Sequence, residues 1–101
     1  MGKGVIPREE LQAMLKAFKE QNAEKYRLLA LGYFGSYARN EATEESDVDI
    51  VFETDHPNLF ESSAMRLDLE ELLGRPVGVV QLRGLPESPF KVRVAKEAVY
   101  V

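Results

Sequence analysis

The chain contains no cysteine and a single histidine. That excludes a disulfide scaffold and a thiolate metal site, and leaves no second imidazole to share a metal with His56. A cysteine-free chain fits a reducing, cytoplasmic setting. Long apolar runs are missing as well: none approaches the roughly 20 residues needed to cross a bilayer, and the first residues carry no apolar segment of the signal-peptide type. Positive charge is scarce, with 13 Lys and Arg against 17 Asp and Glu and a formal net charge of −4. Broad nucleic-acid binding depends on neutralising phosphates and is not expected of such a chain, although a local basic pocket is compatible with it. Internal repeats, low-complexity tracts and interdomain linkers are absent.

What remains is an ordinary globular composition, 45% hydrophobic and 30% charged over 101 residues. This suits one domain, residues 1–101, whose folding removes roughly 65% of the surface of the unfolded chain. A helix is expected from Pro7 to about Tyr26: Pro7 suits a first helical position, Glu9 and Glu10 favour the positive end of the helix dipole, and Leu11, Met14, Leu15 and Phe18 share a face. The apolar run Leu28–Phe34, closed by Gly35-Ser36, reads as a buried central strand. A short helix is expected over Tyr37–Glu41. A second strand, Asp47–Glu53, then turns Val48, Ile50 and Phe52 to one side and Asp47, Asp49, Val51 and Glu53 to the other.

Asp55-His56-Pro57-Asn58 reads as a turn, Leu59–Leu73 as a helix stopped by Gly74, and Pro76–Gln81 as a third strand. Ser88 is placed to cap a last helix from Pro89 to about Val99. Helices alternating with strands predict a small α/β (α+β) domain.

Two features carry chemistry. Gly35-Ser36, at the end of a buried strand, offers backbone N–H groups and a hydroxyl to a phosphate, with no glycine side chain in the way. Taken alone, Gly-Ser after a strand is a common turn. The second feature is Asp47-Val48-Asp49. Period-two alternation sets both carboxylates on one strand face, roughly 6.5 Å apart at the backbone. Aspartate is disfavoured in strands and like charges on one face repel, a penalty that a bound cation removes. Mg²⁺ suits such a pair, because it takes one or two carboxylates and completes its shell with water and nucleotide phosphates. Ten residues separate Ser36 from Asp47. Four fixed residues at this spacing arise by chance on the order of once per thousand chains of this length.

The stretch Gly35-Ser36-Tyr37-Ala38-Arg39, then Glu41-Ala42 and Ser46-Asp47-Val48-Asp49-Ile50-Val51, resembles the signature of the minimal nucleotidyltransferase family of the DNA polymerase β superfamily. The ending Glu97-Ala98-Val99-Tyr100-Val101 is similar to the endings of that family. The resemblance covers nearly the whole chain and implies a polymerase-β-like fold, a small mixed sheet flanked by helices. It implies Mg²⁺-dependent transfer of a nucleoside monophosphate from ATP or another NTP to a hydroxyl. Gly35, Ser36 and Arg39 would then hold the nucleotide, while Asp47 and Asp49 would be the catalytic metal ligands. Small members of the family act as antitoxins beside a HEPN-domain toxin, in some cases by adenylylating one of its tyrosines.

One family position is not filled. The third core strand of the family carries an acid where this chain has Gly78, within Pro76-Val77-Gly78-Val79-Val80. A catalytically impaired binding module that neutralises its partner by contact is therefore an alternative to an active enzyme. In an active enzyme another acid would fill the gap, with Glu53 the nearest substitute and Asp55 and Asp68 behind it. A transferase acting on a small hydroxyl substrate such as an aminoglycoside fits less well, because no second domain shapes a pocket for it. Arg39 is equally suited to an ion pair with Glu41. Arg83, Lys91, Arg93 and Lys96 read as a solvated surface or a contact area for an acidic partner, and Tyr33 and Phe34 as core or as a contact between copies in a homo-oligomer.

Overall fold

The computed structural model describes residues 4–101; the first three residues, on which the reading against a signal segment partly rests, lie outside it. Helix α1 spans Arg8–Tyr26, followed by β1 (Leu28–Phe34), β2 (Val48–Thr54), α2 (Leu59–Leu73), β3 (Val77–Gln81), α3 (Pro89–Glu97) and β4 (Val99–Tyr100). A single 3₁₀ turn, Leu82–Gly84, joins β3 to the segment before α3. The sheet runs β3-β2-β1-β4. β1 is antiparallel to both of its neighbours, and β2 is parallel to β3. The parallel pair needs a crossover, which α2 supplies. The result is the small mixed sheet flanked by helices that goes with the polymerase-β-like resemblance. Among the described residues no helix is long and apolar enough to cross a membrane.

The two faces of the sheet are covered differently. Leu31, Tyr33, Val48, Ile50 and Phe52 point to the side of α1 and α2, where they pack with Leu11, Leu15, Phe18, Met65 and Leu69. Each fully buried aliphatic side chain here contributes about 1.5–3 kcal/mol relative to exposure. On the opposite face Phe34, Val51 and Val94 form a smaller cluster beneath α3. Val51, which shares a strand face with the aspartates, is therefore core rather than surface. Tyr33 and Phe34 are both buried within the single chain, at 0% and 7% exposure, so neither is free for a contact between copies.

Local signals set most of the boundaries. Asn58 caps α2 by accepting the N–H groups of Phe60 and Glu61, Gly74 closes it, and Ser88 caps α3 by accepting from Lys91. Pro7 stands one position earlier than expected, at the cap of α1. β2 begins at Val48, so Asp47 immediately precedes the strand.

Two expectations are corrected. The segment after Ser36 is not a helix but a series of turns, in which Arg39 N–H donates to the Gly35 carbonyl and Glu41 N–H to that of Ser36. Tyr37 is drawn into the core at 1% exposure, and Asn40 takes a left-handed φ of 61°, which stops helical propagation after one turn. No helix dipole therefore backs the Gly35-Ser36 turn. α3 ends at Glu97 rather than near Val99, because Val99 and Tyr100 leave it to pair with Tyr33 and Gly32 of β1.

That pairing depends on a missing side chain. A Cβ at Gly32 would stand 2.4 Å from the Val99 carbonyl oxygen and 3.0 Å from the Tyr100 Cα. Both are backbone atoms that cannot turn aside. Gly32→Ala should therefore cost about 2 kcal/mol, on the scale of overpacked cores, and lower the melting temperature by roughly 10 °C. Thermal unfolding followed by circular dichroism checks this, and a midpoint within about 2 °C of wild type would mean that β4 does not hold the end of the chain.

Candidate functional site

The sheet register brings the motif residues together. Phe34 is paired with Asp49 across β1 and β2, and Asp49 with Gly78 across β2 and β3. Asp49 thus stands between the glycine turn and the third strand. Gly35 has a φ of 74°, and a Cβ on it would lie 2.2 Å from Asp49 Oδ2. Only glycine meets both demands: it tolerates the left-handed backbone and leaves room for the carboxylate. A cleft of about 310 Å³ opens here, lined by Gly35, Arg39, Asp49 and Gly78 from the sheet side and by Phe90, Arg93 and Glu97 from α3.

The electrostatics of the cleft centre on Asp49. Burial raises its carboxyl above the ordinary value of 3.8; the neighbouring Asp47 pushes the same way, Arg39 opposes, and Glu97 adds a smaller upward push. Asp47 itself is exposed, just before β2, and is not one of the residues that line the cleft. Among the described residues no three acidic or histidine side chains converge well enough to hold a metal ion. The pair nevertheless fits Mg²⁺, whose usual complement is one or two carboxylates with the remaining ligands from phosphates and water. A half-buried carboxylate crowded by like charge is also the arrangement that a cation relieves.

The phosphate-side residues are disposed unequally. Gly35 N–H donates to Glu97 Oε1 at 3.1 Å. Arg39 forms the expected pair with Glu41 at 3.2 Å, and it also forks onto both Glu97 oxygens through Nη1, at 3.1 and 3.0 Å. Ser36 is half-buried, and its carbonyl takes the Glu41 N–H.

The third acid is settled against the earlier substitutes. Gly78 does face the pair, since a Cβ on it would lie 3.6 Å from Asp49 Oδ1, in ordinary contact. Glu53 is bound to Arg83 at 3.0 Å, Asp55 to Arg27 at 2.7 Å, and Asp68 accepts from the Tyr26 hydroxyl beside Lys25. All three are committed elsewhere in the fold. His56 is a turn residue whose N–H donates to Thr54 Oγ1.

The acid that does reach the cleft is Glu97, which sequence reasoning placed only in the terminal stretch. Arg93, read as surface, also lines the cleft. Their spacing of four on α3 puts them on one helix face, the one signal that could have linked them.

Comparisons with known proteins bear on the family and the fold. The sequence profile of the nucleotidyltransferase domain family matches residues 15–101. The protein adenylyltransferase MntA of Thermococcus cleftensis is 38% identical over 94 residues, spanning 92% of this chain and 94% of that protein. A Methanocaldococcus jannaschii protein, described as a candidate protein adenylyltransferase, is 33% identical over 95 residues, spanning 91% and 95%. A solved structure described as a candidate minimal nucleotidyltransferase superposes with a TM-score of 0.77 at 33% identity, covering 93% of this chain and 95% of that one. The fold is also shared with a chain of a mutant MntA–HpeT toxin–antitoxin complex, at a TM-score of 0.67 and 17% identity, covering 94% of this chain and 71% of that chain. With this profile match, these identities and this fold, the chain belongs to the nucleotidyltransferase domain family, among its MntA-type protein adenylyltransferases.

Proposed function

We propose that this protein binds ATP or another NTP with Mg²⁺ in the cleft between the sheet and α3. It then transfers the nucleoside monophosphate to a hydroxyl of a protein partner, a tyrosine of a HEPN-domain toxin, as the cytoplasmic antitoxin of that pair. The observation that carries the reading is Asp49. It is half-buried, crowded by Asp47, and set against the Gly35 turn, an arrangement that favours a cation beside a phosphate. The names of the relatives, protein adenylyltransferases, support a protein acceptor.

In this reading Asp47 and Asp49 hold Mg²⁺. Gly35 N–H, the Ser36 hydroxyl and Arg39 donate to phosphate oxygens. Mg²⁺, when bound, supplies Lewis-acid polarisation of the phosphate and lowers the pKa of the acceptor. The acceptor oxygen bonds to the α-phosphorus as the bond to the bridging β-phosphate oxygen breaks. Pyrophosphate leaves, and the hydroxyl proton passes to solvent. The half-exposed cleft leaves room for a side chain of a partner to approach.

A second reading rests on Gly78. With glycine opposite Asp49, β3 adds no carboxylate to Asp47 and Asp49, and the other acid of the cleft, Glu97, is engaged by the Gly35 N–H and Arg39. This favours a module that binds nucleotide and neutralises its toxin by contact. Incubating the protein and its partner with α-labelled ATP and Mg²⁺ separates the two. Label on the partner that needs Asp47 and Asp49 supports the enzyme. Neutralisation that survives Asp47→Ala with Asp49→Ala, with no label transferred, supports the contact module.

A further inference from the structure

We infer that Glu97 is a built-in competitor for the phosphate subsite, a carboxylate that any incoming triphosphate must displace from the Gly35 N–H and the Arg39 guanidinium. The inference rests on the reading of the cleft as a triphosphate site and adds to it a side chain of the same chain that holds the phosphate donors.

Three contacts support it. Glu97 Oε1 accepts from the Gly35 N–H at 3.1 Å, and the two carboxylate oxygens accept from Arg39 Nη1 at 3.1 and 3.0 Å. These are donors that a phosphate would use, and a carboxylate presents them with the same charge-assisted acceptor geometry. The Glu97 side chain is only 18% exposed, so its charge is held in the cleft rather than in solvent. Its place on the helix is unfavourable by itself. Glu97 is the last residue of α3, where the negative end of the helix dipole disfavours a carboxylate. Arg39 offsets that cost, as it would offset a phosphate.

The contact also has a structural use. Without Glu97 the N–H of the buried Gly35 would lose this partner, and an orphaned buried donor is costly.

The backbone around Glu97 limits how displacement can occur. Val99 and Tyr100 are paired to β1, so the end of α3 is pinned two residues beyond Glu97. Release is therefore a side-chain rotation. Arg93, four residues earlier on α3 and lining the same cleft, gives the freed carboxylate a second partner. A ligand offering one phosphate only exchanges one anion for another, whereas a triphosphate brings further oxygens to the cleft.

Calorimetric titration with inorganic tripolyphosphate, in buffer containing Mg²⁺, tests this on three proteins: wild type, Glu97→Gln, and Glu87→Gln. Glu87 is 88% exposed, pairs with Lys91 at 2.9 Å and lies outside the cleft lining, and its loss changes the net charge equally. Glu97→Gln is expected to bind about tenfold more tightly than wild type, and Glu87→Gln to match wild type. Unchanged or weaker binding by Glu97→Gln, or equal tightening in both variants, overturns the inference while leaving the triphosphate site intact. Absence of binding by all three proteins would remove the triphosphate reading and the inference with it. A second measurement needs no variant: saturating wild type with tripolyphosphate should shift the Gly35 amide and Arg39 Nη1–H resonances, the two donors that Glu97 holds. Saturation that leaves both unmoved would show that Glu97 stays in place.

Discussion

Asp49→Asn should reduce nucleotidyl transfer by about a thousandfold or more while making the unliganded protein more stable. The loss follows from position. Asp49 is the carboxylate set between the Gly35 turn and Gly78, and asparagine keeps its shape while removing the charge proposed to hold a cation. Losses of this size are usual when one electrostatic element of a transfer site is removed. The gain follows from the same surroundings.

Burial, then Asp47, then Glu97 push the Asp49 carboxyl above 3.8, against the pull of Arg39. A carboxyl whose folded pKa lies above its unfolded one favours the fold fully below the unfolded value of 3.8. That contribution is lost as pH rises through the folded value, because the fold must then carry the charge. Asparagine never carries it. The melting temperature of Asp49→Asn should therefore exceed wild type at pH 7 by a few degrees, and the gap should narrow toward pH 3. Mg²⁺ should stabilise wild type and not the variant. A variant that melts below wild type at neutral pH would mean that Asp49 is stabilised by its surroundings rather than strained by them.

Gly78→Asp is the second large effect, and it runs toward gain. The Cβ position at Gly78 has room, 3.6 Å from Asp49 Oδ1, and the register pairs the two residues directly. A carboxylate there would complete a three-acid set without moving the backbone. In the metal-free protein it would also place a third negative charge on the same face, and like charges on adjacent strands destabilise by about 0.2–1 kcal/mol. Two linked results are expected. The melting temperature of Gly78→Asp falls below wild type in EDTA and recovers in Mg²⁺, and the rate of label transfer rises by at least about tenfold. Recovery in Mg²⁺ with no rise in rate would place the limit on turnover elsewhere, and a fall without recovery would show that the new carboxylate does not reach the cation.

The sequence carried the fold well where local chemistry punctuates it. β1 and α2 have the boundaries expected from the Gly35-Ser36 stop, the apolar spacing of Met65, Leu69, Leu72 and Leu73, and the Gly74 end, although Leu72 does not join the buried face and stays 43% exposed. The strand face carrying Asp49 was readable from alternation, with Asp47 just before the strand; Gly78 was placed by the family resemblance, and only the pairing of β2 with β3 sets it opposite Asp49. What escaped was non-local. Tyr37-Ala38-Arg39 has helix-compatible residues, yet burial of Tyr37 and the left-handed Asn40 hold it to turns. Val99-Tyr100 looked like the end of a helix, and becomes a strand only because Gly32 lets its backbone approach. Glu53, Asp55 and Asp68 were plausible acids until their long-range partners Arg83, Arg27 and Tyr26 were seen. Glu97 lies 62 residues from Gly35, and no periodicity in the chain connects them.

The central claim is that Asp47 and Asp49, with the Gly35 turn, form a site for a metal-bound triphosphate. Calorimetric titration of ATP into the protein, with Mg²⁺ and with EDTA, tests it most directly when repeated on Asp47→Ala/Asp49→Ala. The account predicts saturable binding by wild type that weakens by about a hundredfold without Mg²⁺, and a double variant that behaves in Mg²⁺ as wild type does in EDTA. Equal affinity in Mg²⁺ and EDTA, or full-strength binding by the double variant, would contradict it.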